Sequence, residues 1–378
     1  MRRIKMKPTK KTASEKPLII LTAGGTGGHV FPAESLAEEL LRRGYRLALV
    51  TDSRGKDNYQ GKLSEIPNYS VCSGALVGKS KLFKIKSLIK TCWGVVQAAY
   101  ILFTRKPACV IGFGGYASFP CSMAAILLGI DLIIHEQNSV MSRTNRFLSK
   151  YAALIAQSFR NAKYTPPHIK TILTGMPIRT AIADLNKQTY PEIKDGHYNL
   201  LVIGGSQGAK IFGEVIPEAI RKLPQELQKK LTVTQQCRKA DIEDVEPRYQ
   251  DCACQVNISS FFKNMPELYT TSHLIISRAG ASSVFEIAAA GLPSVLIPLP
   301  TAADDHQTAN ARYITGAKGG ITIPQKEFTP EKLASVLTDL FQNPQKLRQM
   351  SDNIRWAAIT DASQRFADAV EKEIIAKR

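Results

Sequence analysis

The sequence predicts an α/β protein built from two Rossmann-like domains. Short β-rich runs alternate with amphipathic helices along most of the 378 residues, first as PLIILTA, AESLAEELLRRG and RLALVTD within 17–52. The pattern restarts after a polar stretch at 180–198 with the strand, glycine turn and helix of NLLVIGGSQGAKIFGEVIPEAIRKL. Because ligands of such sheets bind beyond the carboxyl ends of the strands, the expected site is a cleft between the two domains.

The sequence also indicates where the domains divide. We expect a basic flexible tail at 1–16, a first domain at 17–179 and a second domain at 180–356. The boundary falls in GMPIRTAIADL, just before the polar stretch. The final residues, 357–378, are expected to form a helix that packs back on the first domain.

Composition limits the class of partner. The formal net charge of +18 favours an anionic partner, which could be a nucleic acid, an acidic membrane surface or a phosphorylated substrate. No recognised nucleic-acid-binding motif occurs and aromatic residues make up only 7% of the chain, so nucleic-acid binding is the weaker alternative. The seven cysteines form no CxxC pair, which indicates neither a disulfide framework nor a zinc ribbon and favours a reducing cytoplasm.

A basic, apolar segment at 78–93, GKSKLFKIKSLIKTCW, suggests contact with a membrane surface. The residues expected at the membrane are Lys79, Lys81, Phe83, Lys84, Lys86 and Trp93. The alternative is an ordinary helix with solvated lysines, whose buried face consists of Leu82, Ile85, Leu88, Ile89 and Trp93. The uncharged apolar stretches at 93–103 and 118–130 are shorter than the ~20 residues of a bilayer-spanning helix, so we expect a peripheral membrane protein.

Four glycine-bearing turns follow expected strands, at 24–29, 112–118, 204–209 and 277–283. Glycines at such turns let backbone N–H groups approach an anion, and the N-terminus of the following helix adds a favourable potential. The first turn, GGTGGH, is not a dinucleotide-binding fingerprint, because Val30 stands where the third glycine belongs. Any one of these loops could be an ordinary tight strand-to-helix turn, but four of them together favour anion binding, and the first argues against a dinucleotide.

The stretch 274–311, LIISRAGASSVFEIAAAGLPSVLIPLPTAADDHQTANA, carries the most specific pattern. A strand, a glycine turn, a helix and a second strand follow one another there. Glu286, three residues after Ser283, fits a capping box at the start of the helix. His306 and Gln307 either enter the cleft or begin a solvated helix.

The chain resembles the MurG family of cytoplasmic glycosyltransferases in the order and spacing of GGTGGHVFP, GGYAS, HEQN, GGSQGA, SRAGASSVFEIAAAGLPS and DDHQTANA. The resemblance covers about residues 17–375. It implies a GT-B fold, in which two Rossmann-like domains place parallel sheets across a deep cleft. It also implies that 17–179 binds the acceptor and the membrane, and that 180–356 binds UDP-GlcNAc.

The activity that the resemblance implies is transfer of N-acetylglucosamine from UDP-GlcNAc to the muramyl C4 hydroxyl of lipid I. The transfer would invert the anomeric centre and give lipid II for peptidoglycan synthesis, at the cytoplasmic face of the cell inner membrane. No metal or other cofactor is expected, and the sequence contains no Asp-x-Asp, the metal-diphosphate motif of the other common glycosyltransferase fold. The closest enzymatic alternative is a UDP-GlcNAc 2-epimerase, which shares the GT-B architecture.

The resemblance also assigns residues. The donor would contact Thr26, Gly27, Gly28, Asn138, Arg179, Ser206, Phe262, Ala281, Ser282, Ser283, Val284, Phe285, Glu286 and Gln307. Among these, Glu286 would bind the ribose hydroxyls and Gln307 the sugar hydroxyls. Tyr116 and Glu136 would lie on the acceptor side. Met176 and His306 depart from the family pattern, where Asn and Gln are common.

His29, at the end of the first glycine turn, is the candidate general base for the acceptor hydroxyl. The N-terminus of a helix disfavours the imidazolium cation, so the ring should be neutral and able to accept a proton at about pH 7. The alternative is a histidine that only orients the hydroxyl.

Overall fold

The computed structural model describes residues 16–24, 27–52, 61–74, 81–205 and 208–377, which form two parallel α/β units. The strands of the first unit are β1 (Leu18–Thr22), β2 (Arg46–Thr51), β3 (Asn68–Ser70), β4 (Cys109–Gly112), β5 (Asp131–Glu136), β6 (Leu154–Gln157) and β7 (Thr171–Leu173). Its helices are α1 (Gly27–Arg42), α2 (Lys62–Glu65), α3 (Lys81–Arg105), α4 (Gly115–Leu127) and α5 (Arg143–Leu148). The strand order is β3-β2-β1-β4-β5-β6-β7.

A short helix, α6 (Thr180–Ala183), leads to the second unit. Its strands are β8 (Tyr198–Ile203), β9 (Leu231–Gln236), β10 (Gln255–Ser259), β11 (Leu274–Ser277), β12 (Ser294–Leu296) and β13 (Gly320–Thr322), in the order β10-β9-β8-β11-β12-β13. The remaining helices are α7 (Lys210–Arg221), α8 (Gln225–Lys229), α9 (Ile242–Val245), α10 (Met265–Thr271), α11 (Ala281–Ala290), α12 (His306–Gly316), α13 (Pro330–Gln342), α14 (Pro344–Ala357) and α15 (Ala362–Glu373).

The central strands are apolar on both faces because helices cover both faces of each sheet. The runs LIIL of β1 and LII of β11 are buried almost throughout. In each sheet the order of the strands reverses at one point, between β1 and β4 in the first and between β8 and β11 in the second. The glycine turns of the sequence follow these four strands, so both reversal points lie where open α/β sheets bind ligands.

The last helix belongs to the core of the first unit. Phe366, Ala367 and Val370 of α15 are buried in the same apolar cluster as Leu36 of α1. A different apolar cluster joins the two units near the connecting segment, where Phe159, Met176 and Ile178 pack with Phe285 and Ala288 of α11. The predicted fold class, two Rossmann-like domains with parallel sheets, is confirmed; the division at residue 180 stays a prediction.

Candidate active site

His29 lies in the first turn of α1, directly after the glycine loop that follows β1. Its Nδ1 is 2.8 Å from the backbone oxygen of Phe113, just beyond β4. A carbonyl oxygen only accepts hydrogen bonds, so Nδ1 carries the proton of the neutral ring and Nε2 presents its lone pair. Removal from water lowers the pKa of His29 below 6.5, against hydrogen bonds to Phe113 and Gln137 that raise it. The ring is therefore neutral, with Nε2 able to accept a proton, at about pH 7.

Two glycines after β4 form the surface on which the His29 ring lies. Gly114 and Gly115 have φ angles of +82° and +76°. A Cβ on Gly115 would lie 3.4 Å from both Cδ2 and Nε2 of His29, and one on Gly114 would lie 3.6 Å from Cε1. The left-handed backbone and the close approach both favour glycine. The second glycine turn of the sequence thus shapes the space around the histidine of the first.

The loop after β5 is anchored by Glu136. This buried carboxylate accepts hydrogen bonds from the backbone N–H of Asn138 (2.9 Å), the backbone N–H of Ser142 (3.0 Å) and Nδ2 of Asn145 (2.8 Å). Burial raises the pKa of Glu136, and these hydrogen bonds oppose the shift. These hydrogen bonds fix the loop after β5 against the start of α5, and the placement of Glu136 on the acceptor side stays a prediction. Tyr116, the other residue expected there, is partly exposed in the first turn of α4.

A polar seam, formed by Asn138, Ser139 and Asn310, joins this loop to the second domain. Asn310 of α12 is fully buried, and its Oδ1 accepts hydrogen bonds from the backbone N–H and the Oγ of Ser139, both at 2.9 Å. Its Nδ2 donates to Oδ1 of Asn138 (3.1 Å) and to the backbone oxygen of Ala279 (3.2 Å). Asn138, expected to contact the donor sugar, therefore lies where the two domains meet.

Gln307 is connected to the polar seam through the backbone of Ala279, which also binds Asn310. Its Oε1 accepts hydrogen bonds from the backbone N–H groups of Ala279 (3.2 Å) and Leu299 (2.9 Å). Since the oxygen is fixed by these two donors, the Nε2 donors of Gln307 point away from them. This orientation suits the expected contact with sugar hydroxyls.

The start of α11 carries an unsatisfied polar group. The helix begins at Ala281 with Gly280 as its N-cap, and within the described residues no side chain caps it. The Ser282 hydroxyl is buried and, in the part of the chain that the structure describes, has no hydrogen-bond partner. Buried polar groups are normally paired, and a helix N-terminus attracts anions. The arrangement suits the diphosphate contacts expected of Ala281, Ser282 and Ser283.

Glu286 is held by two side chains. Its Oε1 accepts a hydrogen bond from a terminal nitrogen of Arg179 at 3.3 Å, and its Oε2 accepts one from the Tyr269 hydroxyl at 3.0 Å. Burial raises the pKa of Glu286, and the Arg179 charge opposes the shift. The capping-box interpretation is wrong, because Ser283 is the third residue of α11 and Gly280 is its N-cap.

Two of the residues expected to contact UDP-GlcNAc, Val284 and Phe285, belong to the core. Val284 is fully buried, and the Phe285 ring packs against Phe159 and Tyr313 with centroids 4.9 and 4.7 Å away. Their side chains are therefore occupied in packing, and only their backbone could meet a ligand. Phe262 is partly exposed in the loop after β10.

Some of the remaining predicted site residues lie within the described ranges and others do not. Gly27 and Gly28 form the start of α1. Thr26, Ser206 and Lys79 lie outside the described residues, as does the side chain of Lys81. Across the described ranges, no group of His, Cys, Asp and Glu side chains could hold a metal ion.

Three residues of this region were not predicted from the sequence: Gln137, Ser139 and Asn310. Each stands within or next to a quoted motif, HEQN or DDHQTANA, which is the available signal. Their contacts join loops that are distant in sequence, so only the folded chain shows their partners.

The long helix α3 presents an apolar face to solvent. Ser87, Thr91, Ala98 and Leu102 are buried, whereas the exposed large hydrophobic residues are Ile85, Leu88, Ile89, Trp93, Val96, Tyr100 and Phe103, the last at 70%. The interpretation of Ile85, Leu88, Ile89 and Trp93 as a buried face is therefore wrong. Lys84 and Lys86 are exposed on the same helix and Phe83 is partly exposed.

By length and composition alone, the part of α3 from Phe83 to Arg105 could cross a membrane, with a mean hydropathy of 1.2. The sequence-based estimate was shorter because it counted only the uncharged stretch at 93–103. One face of α3 nevertheless packs closely on the domain, since a Cβ on Gly94 would clash with the backbone oxygen of Cys72.

Comparisons with known proteins agree along nearly the whole chain. The N-terminal domain model of glycosyltransferase family 28 matches residues 19–157, and its C-terminal domain model matches 199–372. The chain is 44% identical, over 95% of its length and 97% of the relative, to the UDP-N-acetylglucosamine--N-acetylmuramyl-(pentapeptide) pyrophosphoryl-undecaprenol N-acetylglucosamine transferase of Paramagnetospirillum magneticum.

Solved structures of other proteins also resemble this chain. The crystal structure of MurG from Acinetobacter baumannii matches with a TM-score of 0.76 and 33% identity, over 94% of this chain and 99% of that one. A putative UDP-N-acetylglucosamine 2-epimerase from Listeria monocytogenes matches with a TM-score of 0.69 over 96% of this chain and 97% of that one, but at 14% identity it shares the fold alone. The two-domain GT-B fold is thus confirmed, and the chain belongs to the MurG family of glycosyltransferase family 28.

Proposed function

We propose that this protein transfers N-acetylglucosamine from UDP-GlcNAc to the muramyl C4 hydroxyl of lipid I, with inversion, and so makes lipid II. The observation that carries the proposal is His29, whose neutral ring is oriented by the Phe113 carbonyl with its Nε2 lone pair beside the glycine pair. The names of the relatives support the same reaction.

In the proposed reaction, His29 Nε2 takes the proton of the acceptor hydroxyl while the hydroxyl oxygen attacks C1 of the donor sugar. The new bond between C1 and this oxygen forms as the bond between C1 and the diphosphate oxygen breaks, and UDP leaves with the electron pair. Because attack and departure take place on opposite faces of C1, the configuration inverts.

The second domain would hold the donor. The N-terminus of α11 and the Ser282 hydroxyl, which has no hydrogen-bond partner among the described residues, suit the charge that grows on the leaving diphosphate. Glu286, already oriented by Tyr269, would accept hydrogen bonds from the ribose hydroxyls. Gln307 and Asn138 would meet the sugar from the second and first domains, and Arg179 would neutralise charge on the nucleotide.

We further propose that α3 binds the cytoplasmic surface of the inner membrane while lying in its plane. The exposed residues from Ile85 to Phe103 would insert between lipids, while Lys84 and Lys86 would contact anionic headgroups. Packing of the opposite face on the domain supports an in-plane helix over a spanning one. The acceptor lipid would then be presented to the first domain.

The reaction is tested by incubating the protein with radiolabelled UDP-GlcNAc and a lipid I analogue. We expect the label to move to the lipid, and only when the acceptor is present. Release of N-acetylmannosamine without an acceptor would instead support an epimerase. Tight duplex binding at physiological salt, without affinity for UDP-GlcNAc, would support a nucleic-acid-binding protein.

The membrane contact is tested by sedimentation with anionic vesicles. Changing Lys81, Lys84 and Lys86 to Glu should reduce the bound fraction strongly, since each basic residue near an anionic surface contributes about 1 kcal/mol. A matched control makes the same change in charge at three exposed lysines of the second domain, Lys229, Lys326 and Lys332. Equal binding of both triple variants would place the contact elsewhere.

A further inference from the structure

We infer that Gln137 is a positioning residue for His29: it holds the imidazole in the orientation and tautomer that leave Nε2 to accept a proton. The inference rests on the proposed role of His29 as the base. It concerns a side chain for which the sequence motifs indicated no role, and which lies between two residues already placed in the site.

Gln137 and His29 share one acceptor. Gln137 is 3% exposed, and its Nε2 donates to the backbone oxygen of Phe113 at 2.6 Å. The same oxygen receives Nδ1 of His29 at 2.8 Å. The Gln137 side chain also acts to raise the pKa of His29, against the effect of burial. Two donors, one from the start of α1 and one from the loop after β5, therefore meet at one carbonyl oxygen of the loop after β4.

This geometry selects one state of the ring. A carbonyl oxygen has two lone pairs, and Gln137 occupies one of them, so the His29 N–H is directed to the other. A second donor polarises the carbonyl and strengthens its bond to His29. Rotation of the ring by half a turn would place carbon against this carbonyl, and Gly114 and Gly115 lie against the ring on its other side.

The loop that carries Gln137 is fixed on both sides. Glu136, before it, binds two backbone N–H groups and Asn145. Asn138, after it, accepts a hydrogen bond from Asn310 of the second domain. The orientation of the base is thereby connected, through Gln137, to the contact between the two domains.

Among the described residues, the charge of His29 acts on one other histidine of this region, His135. Burial lowers its pKa to about 3. His135 therefore stays neutral at the pH of an activity assay and does not change the charge near His29. A change in the pKa of His29 then reflects its contacts with Phe113 and Gln137.

The test compares Gln137→Met with Gln228→Met. Gln228 is a buried glutamine of the second domain whose Nε2 likewise donates to a backbone oxygen, that of Leu223 at 2.8 Å, so it controls for loss of a buried amide. We expect Gln137→Met to lower kcat about tenfold with the KM for UDP-GlcNAc within about twofold, and Gln228→Met to change neither. In a His29→Ala background, Gln137→Met should lower kcat no further.

A second readout does not depend on activity. In protein labelled with ¹⁵N-histidine, the His29 ring nitrogens should report a protonated Nδ1 and an unprotonated Nε2, and Gln137→Met should average the two shifts as the tautomers mix. Gln137→Glu, which keeps the side-chain volume, should favour the imidazolium and move the acidic limb of the kcat/KM profile to higher pH.

Unchanged tautomer shifts together with a kcat equal to that of Gln228→Met would overturn the inference. If instead the tautomer depends on Gln137 but the wild-type protein transfers no sugar to lipid I, the positioning stands and the proposed function fails. If transfer is normal and independent of His29, the base assignment fails while the tautomer measurement still decides the role of Gln137.

Discussion

Two histidines contact Phe113, one through its backbone and one through its ring. His29 binds the Phe113 carbonyl, whereas His135 packs edge-on against the Phe113 ring with centroids 5.5 Å apart. His135 is fully buried, lies 5.4 Å from the Phe366 ring and contacts Ser158 Oγ through Nε2 at 3.2 Å. Burial lowers the pKa of both histidines. A lowered pKa therefore does not distinguish a base from a core histidine; access and orientation of the second ring nitrogen do.

The largest expected effect comes from removing His29, which is partly exposed whereas His135 is fully buried. His29→Ala should lower kcat by about 10²–10⁴-fold, the usual contribution of a general base, and leave the affinity for UDP-GlcNAc nearly unchanged. Turnover is measured with labelled UDP-GlcNAc and affinity by calorimetry. His168→Ala, at an exposed histidine, is the control. Unchanged turnover in His29→Ala would remove the base assignment.

The pH dependence of wild-type activity sharpens the same assignment. A base works only when unprotonated, and burial places the pKa of His29 below 6.5. We therefore expect kcat/KM to be level above this value and to fall only as the pH decreases through the lower pKa. A rate that already falls between about pH 8 and pH 7 would contradict a buried neutral base.

The next effect concerns stability and His135. The pKa of His135 is about 3 in the folded chain and 6.5 without burial. The stabilisation that comes from keeping this side chain neutral is therefore complete above pH 6.5, and it is lost as the pH falls below that value because the unfolded chain takes up a proton. Between about pH 7 and pH 5, wild type should lose about 2 kcal/mol more of its unfolding free energy than His135→Phe, which cannot take up a proton. Urea unfolding at both pH values measures the difference, and equal losses would show that His135 titrates normally.

The smallest effect tests the surface under His29. Gly115→Ala and Gly129→Ala each put an alanine at positive φ, +76° and +65°, and each should cost about 1–2 kcal/mol of stability. The Cβ at Gly115 would press on the His29 ring, whereas the one at Gly129 meets nothing within 4 Å in the described part of the chain. We expect only Gly115→Ala to lower kcat, about tenfold. If Gly115→Ala and Gly129→Ala lose the same stability and have equal activities, Gly115 does not confine the His29 ring.

The parts of the site that follow from local pattern were predictable from the sequence. Alternating strands and helices predicted the two sheets, and the position of His29 after a glycine turn predicted a neutral histidine at a helix start. The partners of these residues were not predictable. Asn310 binds Ser139 and Gln137 binds the Phe113 oxygen across large separations in sequence, and no periodicity encodes such pairs.

Helix α3 shows why periodicity also failed in one place. The buried side carries Ser87, Thr91, Gly94 and Ala98, and the small size of these residues lets the helix approach the domain closely. Larger residues such as Ile89 remain outside. A rule that assigns the most hydrophobic side to the core gives the wrong side when another apolar surface is the partner.

The polar seam has a consequence for how the two halves can move. Its neutral hydrogen bonds contribute about 1 kcal/mol each, and water can replace every one of them once the halves part. The apolar cluster of Phe159 and Met176 with Phe285 has no such substitute, because exposing it to water is unfavourable throughout. Contact between the two units at Asn310 therefore depends on hydrogen bonds that water can replace, whereas contact at Met176 depends on keeping apolar surface out of water.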